Sequence, residues 1–179
     1  MTISRERISD NKDWCTPPKY INLINKYFDD DIDLDPCSNV FSMVDAKIKY
    51  MLPMNGLTES WNYKNIYVNP PYGRYKGGTT IYDWLKKGLA AHVVYKSTIL
   101  FLIPVATNTK HYKEVIFKNA IGICFLADTR LRFYNNGEEY KKGSPMACAM
   151  ILFGDDEDYI KFEEIFKSVG YCIKLKKGI

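Results

Sequence analysis

The feature that most constrains this chain is a nearly continuous apolar run, Thr98 to Val105 (TILFLIPV). A strand with apolar side chains on both faces must be covered on both, the condition of a central strand in a parallel sheet flanked by helices. The longest apolar stretch, Ile99 to Ala106 with Pro104 inside it, is far shorter than the roughly 18 residues a membrane span requires. An integral membrane protein is therefore not expected.

Elements of alternating type surround this run. Thr16-Pro17-Pro18 precedes apolar residues at Tyr20, Leu23, Ile24, Tyr27 and Phe28, a helical spacing with prolines at its start. Ile32 to Asp35 alternates like a strand that Pro36 ends, and Asn65 to Asn69 is a second strand stopped by Pro70-Pro71. The spacing also suggests a short helix over residues 39–47. Thr80 to Tyr95 carries one apolar face behind a Thr80/Asp83 capping box. His92 lies on that face and reads as a core residue. A helix near 109–118, strands at 121–127 and 147–153, a helix after Asp155 to Asp158 and a strand at 171–175 complete the series.

This alternation predicts an α/β fold: a three-layer, Rossmann-like arrangement around a mainly parallel sheet, with an antiparallel strand near the C-terminus. With 179 residues and no linker or low-complexity tract, residues 1–179 form one domain, leaving no room for a separate target-recognition domain. Such sheets bind ligands beyond the carboxyl ends of their strands, where both proline-ended loops should lie.

Composition removes several classes of function. The first fifteen residues contain no apolar block that could serve a signal peptide, and the five cysteines are widely spaced with no C-x-x-C. A disulfide scaffold and a zinc site both lose support, no metal is expected, and a cytoplasmic protein is. Residues 61–150 hold 13 Lys and Arg against 5 Asp and Glu, a local excess that suits contact with phosphates.

The sharpest chemical signal is Asn69-Pro70-Pro71-Tyr72 directly after a strand. Two adjacent prolines lack N–H groups, so the loop presents carbonyls without competing donors. The Asn69 side-chain carbonyl and the Pro70 carbonyl can accept both hydrogens of one planar amino group, drawing its nitrogen toward tetrahedral geometry and aiming the lone pair at an electrophile. Tyr72 can stack on a flat base. The bland alternative is a Pro-Pro turn with a packed tyrosine.

Three segments in this order, Thr16-Pro17-Pro18, Asp33-Leu34-Asp35-Pro36-Cys37-Ser38 and Asn69-Pro70-Pro71-Tyr72-Gly73-Arg74, resemble S-adenosylmethionine-dependent amino methyltransferases. The set is similar to the phage-type DNA N6-adenine methyltransferase (Dam-like) family. Further likeness lies in Trp14, Asn55-Gly56-Leu57 before Trp61, Trp84, residues 104–109, and Arg130-Leu131-Arg132-Phe133 with Ser144-Pro145. It covers about residues 13 to 153. The resemblance implies methylation of a flipped adenine in DNA, with Asn69, Pro70, Pro71 and Tyr72 as the catalytic loop. It also implies an S-adenosylmethionine pocket formed by Thr16, Pro17, Asp35, Pro36, Cys37, Ser38, Asn69 and Pro70. One departure is that residues 36–39 contain no glycine, where many methyltransferases carry a glycine-rich turn.

Arg74 and Lys76, on the loop beside the proposed site, and Arg130 and Arg132, alternating with Leu131 and Phe133, are candidates for DNA phosphate contacts. A surface pair on a hairpin is the equal alternative for the two arginines. Cys37 either lines the pocket or is a buried, inert thiol. Two rival functions remain open at this stage: methylation of another planar nitrogen, such as an RNA base or a protein glutamine, and a non-catalytic binding module of the same fold.

Overall fold

The computed structural model describes residues 14–72, 79–127, 131–141, 143–144 and 146–176. Its elements in chain order begin with β1 (Trp14–Cys15), α1 (Pro18–Phe28), β2 (Ile32–Asp35), β3 (Ala46–Lys49), β4 (Asn65–Val68), α2 (Ile81–Tyr95) and β5 (Thr98–Pro104). A π-helical turn (Tyr112–Ile116) then runs into α3 (Phe117–Asn119). The chain continues through β6 (Gly122–Leu126), β7 (Tyr134–Asn135), β8 (Glu138–Glu139), β9 (Cys148–Phe153), α4 (Asp156–Phe166) and β10 (Gly170–Lys174). Among the described residues, no helix is long and apolar enough to cross a membrane.

Seven strands form one sheet in the order β10-β6-β9-β5-β4-β2-β3. β3, β2, β4, β5 and β6 run one way, while β9 and β10 run the other. The sheet is thus mostly parallel, as expected, but two strands rather than one are reversed: β10 at an edge and β9 between β5 and β6. The cause is local: between β6 and β9 the described residues make only the short β7–β8 hairpin, with no helix among them to carry the chain back to the other end of the sheet before β9 begins. That hairpin turns at Asn136 and Gly137, both left-handed (φ 51 and 82), the backbone that a two-residue hairpin turn needs.

The run at Thr98–Pro104 is the central strand. Leu100 and Leu102 join an apolar cluster with Tyr20, Ile24 and Tyr27 of α1 and Phe162 and Phe166 of α4. Ile99, Phe101 and Ile103 join a second cluster with Trp84 and Leu85 of α2 and Tyr112 and Val115 of the π-turn. Alternate side chains of one strand thus serve two cores.

α1 starts where the prolines put it: the Pro17 carbonyl accepts from the Tyr20 and Ile21 N–H groups (2.9 and 3.1 Å). α2 opens with the Asp83 carboxylate accepting from the Thr80 backbone N–H at 2.9 Å. His92 packs near Phe153 (centroids 6.4 Å apart) and its Nδ1 lies 2.9 Å from the Ser97 carbonyl, which accounts for it structurally.

The helix expected over residues 39–47 is absent. The Asn39 side chain accepts from the Phe41 N–H (2.8 Å), and the Ser42 hydroxyl accepts from the Val44 N–H (3.3 Å). These local bonds take the donors a helix would use, and the segment leads instead into the parallel edge strand β3.

Candidate active site

β2 and β4 are neighbours, yet the chain leaves β2 toward β3 on one side and leaves β4 toward β5 on the other. Such a divergence opens a crevice at the strands' carboxyl ends. A shallow open cleft lies there, lined by Trp14, Cys37, Asn39, Asn69, Pro70, Pro71 and Tyr72. Both proline-ended loops therefore meet at one place.

The wall after β2 is built on Asp35, which is 4% exposed. Its carboxylate accepts from the Cys37 N–H (3.1 Å) and the Ser42 hydroxyl (3.5 Å), fixing the turn that carries Cys37 into the cleft. Burial nevertheless pushes Asp35 up to about 6. The Cys37 thiol is raised well above its ordinary value by burial and by the charge of Asp35. It lines the cleft as a protonated, inert thiol. Gly56 braces this wall from behind: a Cβ there would stand 2.1 Å from the Pro36 carbonyl oxygen and 3.1 Å from the Trp84 ring, so only glycine permits the approach.

The wall after β4 is the proline loop. Asn69 donates its side-chain N–H to the Trp14 carbonyl at 2.9 Å, which identifies its other end, the oxygen, as the free acceptor. Tyr72 is half-buried, donates its hydroxyl to the Leu102 carbonyl of β5 (3.0 Å), and meets Phe133 edge-on at 5.5 Å. Burial raises its phenol well above the ordinary value, so it stays a neutral donor.

Trp14 forms the third side. Its short strand pairs with β7, and its ring packs edge-on against Tyr140 (4.7 Å) and Phe133 (6.3 Å). Leu131 and Phe133 are buried while Arg132 is exposed, so the alternation read from the sequence holds here, and Phe133 braces both Trp14 and Tyr72. The bracing role of Phe133 and the cleft position of Asn39 escaped sequence reading. The alternation signalled only that Phe133 turns inward, not what it packs against; nothing in the pattern marked Asn39.

The other expected pocket residues lie behind the cleft wall. Thr16 and Pro17 are buried, and the Thr16 hydroxyl is 2.7 Å from the Tyr67 hydroxyl, tying the N-terminal arm to β4. Pro36 and Ser38 are buried too, and the Ser38 hydroxyl makes no hydrogen bond among the described residues. Arg132 pairs with Glu139 at 3.3 Å on the surface. Arg74, Lys76 and Arg130, proposed for phosphate contact, lie outside the described residues. Among the described residues, no three His, Cys, Asp or Glu side chains gather as a metal site.

A curated relative from Haemophilus phage HP1 (strain HP1c1), described as "DNA N-6-adenine-methyltransferase", is 29% identical over 173 residues, covering 94% of each chain. The family model described as DNA N-6-adenine-methyltransferase (Dam) matches residues 4–176. That match spans every strand of the sheet and every residue of the cleft, and the chain therefore belongs to the DNA N-6-adenine-methyltransferase (Dam) family.

Proposed function

We propose that the cleft transfers a methyl group from S-adenosylmethionine to the exocyclic N6 amine of an adenine rotated out of DNA. Family membership supports a DNA adenine methyltransferase; the donor, the base geometry and the residue roles are our reading. We take the sheet with apolar clusters on both faces as a single-domain, three-layer Rossmann-like methyltransferase fold.

The residues present fit the donor. The buried carboxylate of Asp35, two residues before the cleft-lining Cys37, favours a cation nearby. Thr16, Pro17 and Asp35 to Ser38 would form the base of that pocket, with Asn69 and Pro70 at its rim. When bound, S-adenosylmethionine supplies the methyl group as an electrophilic sulfonium carbon.

The chain's own contribution is orientation. The Asn69 oxygen and the Pro70 carbonyl accept the two amino hydrogens of adenine, turning the nitrogen lone pair out of conjugation with the ring. Tyr72, tied to Leu102 and braced by Phe133, is a fixed wall against which the base rests, a stacking contact of about 1–3 kcal/mol. The nitrogen sheds a proton once it has been methylated. Among the described residues no cleft-lining side chain is a base at neutral pH, since Cys37 and Tyr72 both hold their protons, and the proton leaves to solvent through the open side. The Arg132 guanidinium would meet the DNA backbone by exchanging Glu139 for a phosphate.

The observation that supports this reading is the Asn69 bond to Trp14, which occupies the amide nitrogen and leaves the amide oxygen of a cleft-lining residue as the acceptor. The test is radiolabelled methyl transfer to adenine-containing DNA, RNA and protein acceptors, with Asn69→Ala as control. Label in the N6-methyladenine of DNA is expected. Label only in RNA or glutamine, or cofactor binding without transfer, would replace the reading with one of its rivals.

A further inference from the structure

The cleft holds two asparagine side chains, Asn39 after β2 and Asn69 after β4, of which the transfer itself needs only the second. Consecutive residues of β1 hold both. The Trp14 carbonyl accepts from the Asn69 amide nitrogen at 2.9 Å, and the Cys15 thiol donates to the Asn39 amide oxygen at 3.4 Å. The two amides are therefore fixed in opposite senses.

A second bond settles the orientation of Asn39. Its oxygen also accepts the Phe41 N–H at 2.8 Å, and a backbone N–H can be met only by the oxygen of an amide, never by its NH2 group. The main chain is held as well: the Asn39 carbonyl accepts from the Ser42 N–H (3.1 Å), and the Ser38 N–H donates to the Tyr50 carbonyl just after β3 (3.1 Å). Asn39 is half-buried, and its amide nitrogen is a donor with no partner among the described residues.

None of the described side chains that line the cleft is charged, so this wall selects by the sense of its hydrogen bonds. An acceptor and a donor held by consecutive residues match a flat ring that carries an amino group beside an unprotonated ring nitrogen. Adenine has that order on either edge, N6 with N1 or N6 with N7. Guanine and thymine reverse it on the pairing edge, where a carbonyl stands beside a ring N–H, so acceptor would face acceptor and donor would face donor.

We propose that Asn39 is a specificity-determining residue that reads the target base: its amide N–H donates to the ring nitrogen next to the amine that Asn69 holds. The inference rests on the adenine methyltransferase reading and deepens it, naming the residue that sets the rotation of the ring in the cleft and selects amino over oxo bases. The same bond occupies an in-plane ring lone pair, which would otherwise compete with the amine for the methyl group.

Asn39→Asp tests this, because it keeps the oxygen that the Phe41 N–H and the Cys15 thiol require and replaces only the donor. Methyl transfer is measured into DNA whose adenines are all adenine, all 1-deazaadenine or all 7-deazaadenine; each analogue keeps the amine and puts C–H in place of one ring nitrogen. On adenine DNA, kcat/KM of the variant should fall by about 10- to 100-fold. On one analogue the variant and the unsubstituted chain should agree within about threefold, because the bond removed by the substitution is already missing, and that analogue names the nitrogen. The unsubstituted chain should itself lose about tenfold on that analogue, a comparison that needs no variant. A fall that persists on both analogues, no fall on adenine, or an unsubstituted chain indifferent to both analogues overturns the assignment. So does a weaker donor affinity in calorimetric titration with kcat unchanged at saturating donor, which would give Asn39 to S-adenosylmethionine instead. Should the unsubstituted chain methylate no adenine DNA, the reading of the cleft falls and this inference with it, an outcome seen before any variant or analogue is used.

Discussion

Asn69 gives a side-chain amide hydrogen to the Trp14 carbonyl, and that bond leaves the amide oxygen as the end able to accept, as the proposed transfer requires. Asn69→Ala removes the acceptor and should lower the transfer rate by about 10²–10³-fold, as loss of one preorganised polar contact does elsewhere. Stability should change little, as measured by urea unfolding. Asp35 carries a pH signature. Burial raises it from 3.8 to about 6, so from about pH 4 to pH 6 the folded chain retains a proton that the unfolded chain has released. Its contribution therefore favours folding most below pH 4, and about 3 kcal/mol is lost as pH rises through 6. Asp35→Asn should flatten that slope in urea melts across the range. Donor binding should run the opposite way, weakening in the unsubstituted chain as pH falls below about 6, because the ionised carboxylate favours the cation; calorimetric titration would measure it.

At the scale of elements, β6 and β10 place Cys124 and Cys172 directly opposite one another, both as free thiols. The Ala127 N–H donates to the Val169 carbonyl and the Leu175 N–H to the Ile121 carbonyl. Alternation inward from these pairs makes the cysteines a pair without mutual backbone bonds, the class whose Cα atoms are about 4.5 Å apart. The neighbouring Cys124 lowers the Cys172 thiol. A mild dithiol oxidant such as diamide should join them, with loss of two titratable thiols under denaturing conditions, and Cys172→Ser should abolish that loss. These two strands were legible as strands from their apolar runs, but their register was not, because nothing local encodes which residue will stand opposite. The segment over residues 39–47, a loop running into β3, shows the converse: Val40, Phe41, Met43 and Val44 mimic a helical stripe, while Asn39 and Ser42 divert the backbone donors. The proline loops were legible because proline acts on its own backbone. The brace from Phe133 to Tyr72 joins residues far apart in sequence and could only be seen folded.

For the whole molecule, the placement of β9 matters most. It pairs with β5 along six positions and with β6 along four, and all six of its residues are buried. Its side chains enter both apolar clusters, Met150 and Leu152 in one, Ile151 and Phe153 in the other. Both faces and both halves of the sheet are therefore joined through it, and unfolding should be one cooperative transition, with tryptophan fluorescence and far-ultraviolet circular dichroism coinciding in urea. A chain cut after Ala147 should show no such transition. The order of strands was invisible in the sequence for this reason, since a strand late in the chain is inserted between earlier ones. During translation, a nascent chain of 147 residues would emerge with two raw β edges and nothing to join them, so chaperone occupancy and misassembly should peak in the interval just before Cys148 clears the ribosome.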